Sequence, residues 1–386
     1  MTLRVFLLAG EPSGDRLGAA LMEGLQQLVP GVRFDGIGGP LMQAKGLTSR
    51  FPMEELSVMG IAEVLPKYRH LKRRIRETAD AVIETQPDVL ITIDSPDFSF
   101  RVARLVREQS AVRTVHYVAP SVWAWRPKRA AKMARMIDHV LALLPFEPPY
   151  MQAEGMACDF VGHPVVSEPI ATTEEIAQFR QHFDLGEAPV LLVLPGSRRS
   201  EVGRLADVFG AATSTFLATQ PDMKLVLPAA GHVADLVREV TANWAVQPII
   251  LDPAEFSAEE FACHKRAAFA TAQLALAASG TVSLELAAAS TPMVIAYRFH
   301  WLTWHIMKRM ALIDTATLVN LVSDTRVVPE CLGDACTAER IAATLRQVHD
   351  NPEAQIDAMN LTMERLGRGG ENPGLRAAKA VLAGLS

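Results

Sequence analysis

Short apolar runs recur along the chain, each closed by a turn and followed by apolar positions at helical spacing. They are Leu3–Ala9, Asp88–Ile93, Val112–Val118 and Asp138–Leu144. After a proline-containing stretch come Val190–Leu194, Met223–Leu227, Pro248–Leu251, Gln273–Ala278 and Met293–Tyr297. Continuous apolar runs, rather than alternating ones, predict strands buried on both faces, hence parallel sheets covered by helices. The rhythm opens twice. Leu7-Leu8-Ala9-Gly10 leads into a helix over Asp15–Leu28, and Leu192 to Gly196 leads into a helix near Arg199–Thr219. Two strand–glycine–helix openings half a chain apart predict an α/β protein with two doubly wound domains, residues 1–165 and 166–365. The boundary falls in the stretch from His163 to Pro189, which holds Pro164 and Pro169. Thr337–Ser386 reads as helical, broken near Gly367–Gly374, and its last part, 366–386, is expected to pack back on the first domain. Ligands of open α/β sheets bind at the carboxyl ends of the strands, so the residues after each strand are the ones to examine.

Composition narrows the class without choosing a function. The 386 residues are 49% hydrophobic and 21% charged, which excludes disorder and fibrous folds. Thirty-eight basic against 43 acidic residues leave a net charge of −5, so nucleic acid is not an expected partner. Four cysteines, with no histidine pair beside them, fit buried or loop thiols of a reducing compartment. The opening apolar stretch is too brief for a signal peptide. No window reaches the roughly 18 apolar residues of a membrane span. The expectation is a cytoplasmic protein.

Four turns carry candidate chemistry. Gly196-Ser197-Arg198-Arg199-Ser200-Glu201 follows a strand and opens a helix, where free backbone N–H groups and an arginine suit a phosphate; the alternative is a solvated surface turn. Ser279-Gly280-Thr281 repeats the arrangement, with Glu285 one turn into the next helix at the right place for a ribose diol. Two anion turns and one carboxylate fit a nucleoside diphosphate. In the first half, Gly10 to Asp15 lacks dinucleotide-fingerprint spacing and carries two acids. It reads as a sugar- or hydroxyl-binding turn with Glu11, Ser13, Gly14 and Asp15 as candidates. Asp94, ending the strand that precedes Ser95-Pro96-Asp97, stands where a general base belongs; the alternative is a helix cap. No metal-binding spacing occurs, so no metal and no cofactor are expected.

A further stretch is built for an interface. Lys67 to Arg76 (KYRHLKRRIR) holds six Lys/Arg and no acid, with Tyr68, Leu71, Ile75, Ala79 and Val82 on one helical face. Val58, Met59, Ile61, Val64 and Leu65 precede it as an apolar segment ending at Pro66. Such a segment beside Lys72, Arg73, Arg74 and Arg76 suits an anionic lipid surface; a core-packed helix with a solvated basic face is the alternative. Tyr297–Ile313, with Trp301 and Trp304, is too short and too charged to span a bilayer. Trp123 and Trp125 follow a strand end and read as cleft lining.

Taken together, AGEPSGD (Ala9 to Asp15), MGIAEV (Met59 to Val64), IDSPDF (Ile93 to Phe98), HYVAPSVWAWR (His116 to Arg126), Leu144 to Glu147, Val161 to His163, LPGSRRSE (Leu194 to Glu201) and ASGTVSLE (Ala278 to Glu285) resemble the lipid-A-disaccharide synthases. These are inverting glycosyltransferases of GT-B architecture, two Rossmann-like domains facing each other across a cleft. Glu-Pro-Ser in the first turn departs from the expected Glu-Thr-Ser or Glu-Ala-Ser.

The resemblance implies transfer of 2,3-diacylglucosamine from UDP to 2,3-diacylglucosamine 1-phosphate, forming a β-1′,6 linkage. It implies Asp94 as base, UDP on Gly196, Ser197, Arg198 and the Ser279–Thr281 turn, Glu285 on the ribose, and Asn320 near the donor. It also implies acylated glucosamine lipids as substrates, peripheral association with the cytoplasmic face of the inner membrane, and a possible homodimer. The rival enzyme on the same architecture is a UDP-N-acetylglucosamine 2-epimerase. The rival of another class is a non-catalytic nucleotide-sugar-binding membrane scaffold.

Overall fold

The computed structural model describes residues 2–56 and 61–385, with backbone only for 61–68, 301–303, 306 and 307. The chain divides into two compact units, Met1–Ser167 with Gly369–Ser386, and Glu168–Arg368.

The first unit is a six-stranded parallel sheet of β1 (Arg4–Ala9), β2 (Arg33–Ile37), β3 (Val89–Ile93), β4 (Arg113–Tyr117), β5 (His139–Ala142) and β6 (Ala157–Phe160), in the order β2-β1-β3-β4-β5-β6. The second repeats the plan with β7 (Val190–Leu194), β8 (Lys224–Pro228), β9 (Ile249–Leu251), β10 (Leu274–Ala278), β11 (Met293–Tyr297) and β12 (Glu330–Leu332), in the order β12-β11-β10-β7-β8-β9. The central strands β3, β7 and β10 are buried at every position, because helices cover both faces. The three strands absent from the sequence-based expectation, β2, β6 and β12, are all sheet edges. An edge strand needs no continuous apolar run; β2 reads Arg-Phe-Asp-Gly-Ile and β6 Ala-Cys-Asp-Phe.

In each sheet the chain works outward on one side of its first strand and then crosses to the other. The crossing lies between β1 and β3 in the first unit and between β7 and β10 in the second. A crevice opens at such a switch point, outside the carboxyl ends of the two strands.

Helix α1 (Pro12–Leu28) starts on a proline, which suits a first-turn position, and buries Leu17, Leu21, Met22 and Leu25 against the sheet. The helix Pro373–Ala383 packs across α1. There Gly24 and Gly374 bring the backbones together: a Cβ on Gly374 would stand 2.5 Å from the Ala20 carbonyl oxygen. Arg376 reaches the Phe160 carbonyl at 2.7 Å and anchors the same segment to β6. Helix α2 is Pro40–Ala44, and helix α3 spans Ile61–Thr85. Pro66, where the apolar segment was expected to end, therefore lies inside a helix, at the expense of one helical N–H. Helix α4 is Pro96–Gln109 and α5 Lys128–Met133. Among the described residues, no helix is long and apolar enough to cross a membrane.

Candidate active site

Three residues with positive φ stand at the carboxyl ends of β3 and β4: Asp94 (51°), Ser95 (43°) and Val118 (85°). Aspartate tolerates the left-handed region; a β-branched valine does so rarely, and each such residue costs about 1–3 kcal/mol. Ladder-like bonds beyond the strand ends hold them. Asp94 N–H donates to Tyr117 C=O at 3.0 Å, Val118 N–H to Leu141 C=O at 3.0 Å, and Ser99 Oγ to Asp94 C=O at 2.8 Å. The backbone thus turns sharply and leaves the Asp94 carboxyl, half-buried, in the wall of a cavity of about 290 Å³. Burial raises its pKa above the ordinary aspartate value, against one backbone N–H from Ser95 that lowers it. A carboxylate lifted toward neutrality and sited at the switch point is what a general base requires.

His116, Ser121, Trp125, Arg126 and Arg129 share that cavity wall. His116 is buried, with Nδ1 2.8 Å from Thr92 Oγ1, which in turn donates to Val115 C=O at 3.2 Å. Thr92 Oγ1 thus ties the ring, through Nδ1, to the backbone of β4. Burial, with Arg129 nearby, drops the imidazole pKa to about 3 and keeps the ring neutral. Arg126 stacks on Trp125, 3.8 Å from guanidinium carbon to ring centroid, and Arg129 lies over Phe100 at 5.9 Å.

Glu147 follows the carboxyl end of β5. It is 3% exposed and anchors this wall, accepting from Leu144 N–H at 3.0 Å and from Trp123 Nε1 at 3.2 Å. Burial outweighs these donors and lifts its pKa to about 7. Trp123 therefore belongs to the packing beneath the loop, and only Trp125 meets the expectation of a lining residue.

Asp15 does not face a ligand. It is 3% exposed, and its carboxylate accepts from the N–H groups of Gly39, Leu41 and Met42 at 2.9–3.0 Å, capping α2. Three of the carboxylate's roughly four lone-pair sites are so occupied and the side chain is closed off from solvent, so Asp15 serves the packing of α1 on α2. Gly14 is likewise buried, within 3.4 Å of Ile93 by its would-be Cβ, so it serves helix–strand approach. Glu11 is half-buried and Ser13 exposed at the opening of α1, beside the switch point.

In the second unit the two anion turns end neighbouring strands, β7 and β10, on either side of that sheet's switch point. The first is not vacant. The Glu201 carboxylate, 8% exposed, accepts from Ser197 N–H at 3.2 Å and Arg198 N–H at 3.3 Å and pairs with the Arg198 guanidinium at 2.9 Å. Gly196, at φ 111°, lets Glu201 approach; a Cβ there would lie 2.6 Å from the Glu201 side chain. The expected phosphate contacts of the Ser197 and Arg198 amides are thus already made to an internal carboxylate. What this turn offers outward is the Arg198 side chain, 60% exposed. Ser279, Gly280 and Thr281 form a turn open to solvent, with no neighbour within 4 Å of a Cβ placed on Gly280. Glu285 pairs with Lys265 at 2.6 Å and stays partly exposed.

Asn320 is a structural residue rather than a donor contact. It is 1% exposed; its amide gives bonds to Thr315 Oγ1 (3.1 Å) and Val328 C=O (2.8 Å) and accepts from Val328 N–H (3.0 Å). Trp304 stacks on Phe299 and bonds Asp334. All four cysteines are free thiols.

On α3, Lys72, Arg73 and Arg76 are exposed, and Ile75, Ala79 and Val82 enter the core as the spacing predicts. Arg74 departs from the basic face. It is bound to Glu55 at 2.7 Å and Glu77 at 2.8 Å and stacked over Phe51, so its charge is neutralised within the unit. Val58 and Met59 lie outside the described residues, as do the side chains of Ile61, Val64 and Leu65. Among the described residues no three His, Cys, Asp or Glu side chains cluster as a metal site.

Two doubly wound units, each a six-stranded parallel sheet with helices, define the GT-B fold class. Solved structures agree on the fold. UDP-GlcNAc 2-epimerase from Neisseria meningitidis, crystallised with UDP-GlcNAc, matches with TM-score 0.62 at 13% identity, covering 100% of this chain and 99% of that one. A glycosyltransferase from Rickettsia africae matches with TM-score 0.61 at 10% identity, covering 100% and 98%. Sequence decides the family. The model of the lipid-A-disaccharide synthetases matches residues 5–381, and the lipid-A-disaccharide synthase of Ruegeria pomeroyi is 69% identical over 98% of this chain and 95% of its own. The chain belongs to the lipid-A-disaccharide synthetase family and is a UDP-sugar-dependent glycosyltransferase of lipid A biosynthesis. Neither the epimerase reading nor the scaffold reading is favoured.

Proposed function

We propose that Asp94 removes the proton from the 6-hydroxyl of 2,3-diacylglucosamine 1-phosphate as that oxygen displaces UDP from UDP-2,3-diacylglucosamine with inversion. The observation that carries this reading is a half-buried carboxylate, held at positive φ with a raised pKa, in a cavity at the carboxyl ends of β3 and β4, β3 being one of the two strands that flank the switch point. Proton removal by a placed base is worth roughly 10²–10⁴-fold in rate. The departing diphosphate gains charge in the transition state. Arg198 and the N–H groups of the Ser279–Thr281 turn meet that charge, which makes them barrier-lowering groups as well as binding groups. They do so in place of a metal ion, and turnover is expected to be indifferent to chelator. Glu285, held by Lys265, keeps free lone pairs for the ribose diol.

Acyl chains hold the substrates in a membrane leaflet. We place the exposed cations Lys72, Arg73 and Arg76 on that surface; Arg73 makes a longer contact to Glu77 (3.5 Å), whereas Arg74 is left out because it is half-buried and bound to both Glu55 and Glu77. This is the basis for peripheral association with the cytoplasmic face of the inner membrane.

The donor assignment is tested by Arg198→Ala. Loss of charge-assisted bonds worth about 1.5–3 kcal/mol should raise the UDP Kd roughly 10- to 100-fold by calorimetry. An unchanged Kd would move the diphosphate away from this turn.

A further inference from the structure

The first-unit cavity holds more positive charge than a sugar ring needs. Arg126 and Arg129 both enter its wall, with Ser121 between them and the end of β4. Three other arginines of the unit are committed to carboxylates: Arg50 to Asp35, Arg74 to Glu55 and Arg107 to Asp138. Among the described residues neither Arg126 nor Arg129 has an ion pair; each instead rests its flat face on an aromatic ring, Trp125 and Phe100 respectively. Stacking fixes the plane of a guanidinium and leaves its N–H edge for a ligand. His116, also in the wall, is neutral and so supplies no counter-charge.

The two substrates differ at one decisive place. The donor's phosphates are esterified to uridine, whereas the acceptor carries a phosphate monoester on its anomeric carbon, on the other side of the ring oxygen from the carbon that bears the reacting 6-hydroxymethyl group. A planar guanidinium is the side chain best matched to such a group. We infer that Arg126 and Arg129 form the phosphate-monoester subsite of the acceptor, orienting the sugar so that its 6-hydroxyl reaches Asp94 and making the phosphate the feature by which acceptor is told from donor. The inference rests on the reading of Asp94 as base. A cavity of about 290 Å³ suits a single head group, with the acyl chains outside it. The aromatic–cation run Val122 to Arg129 thereby gains a function, and Glu147 acts as a positioning residue through Trp123.

The test compares 2,3-diacylglucosamine 1-phosphate with phosphate-free 2,3-diacylglucosamine as acceptors for the wild type, Arg126→Gln, Arg129→Gln and the double variant, all in detergent. The ratio of kcat/KM values, phosphorylated over phosphate-free, should fall about 10- to 100-fold per arginine. A second arm uses soluble head groups. Glucosamine 1-phosphate should compete with the acceptor in the wild type and at least about tenfold more weakly in the double variant, while glucosamine distinguishes the two proteins little. UDP affinity by calorimetry reports that each variant is folded.

Equal losses on both acceptors, or an unchanged inhibition constant for glucosamine 1-phosphate, would overturn the subsite. So would a variant whose only defect is weaker sedimentation with phosphatidylglycerol vesicles, since the arginines would then serve lipid phosphates. Asp94→Asn separates this from the underlying reading. If that variant stays active the base assignment fails; if it is inactive while the arginine variants keep full phosphate preference, only the subsite fails.

Discussion

At the scale of single residues, what a carboxylate or amide can do depends on whether its lone pairs and protons are already used. Asp94 and Asp15 both follow apolar strands in motifs of the same appearance, and sequence alone assigned both to the site. Asp15 is bound by three backbone N–H groups, whereas Asp94 faces a cavity. The difference lies in distant backbone, Gly39 to Met42, which no local motif reveals. Asn320 gives the same lesson and a prediction. Asn320→Ala strands the buried N–H and C=O of Val328, so it should lower unfolding free energy by about 1–3 kcal/mol per orphaned group in urea titration. UDP affinity of the folded fraction should be unchanged; weaker UDP binding without a stability loss would restore Asn320 to the donor site.

At the scale of elements, close approach is controlled by small residues. The helix Pro373–Ala383 lies on α1 only because Gly24 and Gly374 leave room for backbone contact. Gly374→Ala would drive a methyl group into the Ala20 carbonyl, and overpacking of this kind costs about 1–3 kcal/mol. The expected readout is a lower urea midpoint, with protease sensitivity appearing at the C-terminal helix. An unchanged midpoint would mean that the two helices can slide apart without penalty.

The central strands were visible in sequence because burial on both faces demands unbroken apolar runs, as in Val190–Leu194. The edges β2, β6 and β12 were not, because half their surface faces water. The switch points were also hidden: that the Ser279 turn stands beside the Gly196 turn follows from the pairing of β10 with β7 across most of a domain.

At the scale of the whole molecule, the net charge of −5 opposes an anionic membrane, so any attraction must be local. Lys72, Arg73 and Arg76 supply it from one exposed stretch of α3, at about 1 kcal/mol for each cation near the surface. Charge reversal at these three positions should weaken co-sedimentation with phosphatidylglycerol vesicles at least about tenfold, with activity in detergent retained. Equal sedimentation would assign this face to water.

The claim on which the mechanism depends is that Asp94 takes the proton, and its direct measurement is the pH profile of kcat/KM for the wild type and Asp94→Asn beside their UDP affinities. Burial favours the protonated form of Asp94, so the deprotonated base appears only at higher pH than for an exposed aspartate. The wild-type rate should therefore fall along an acid limb displaced upward from about 3.9. Asp94→Asn should keep its UDP affinity, lose turnover roughly 10²–10⁴-fold and lose the limb. Turnover within about tenfold of the wild type, with the limb intact, would contradict the assignment and place the base elsewhere.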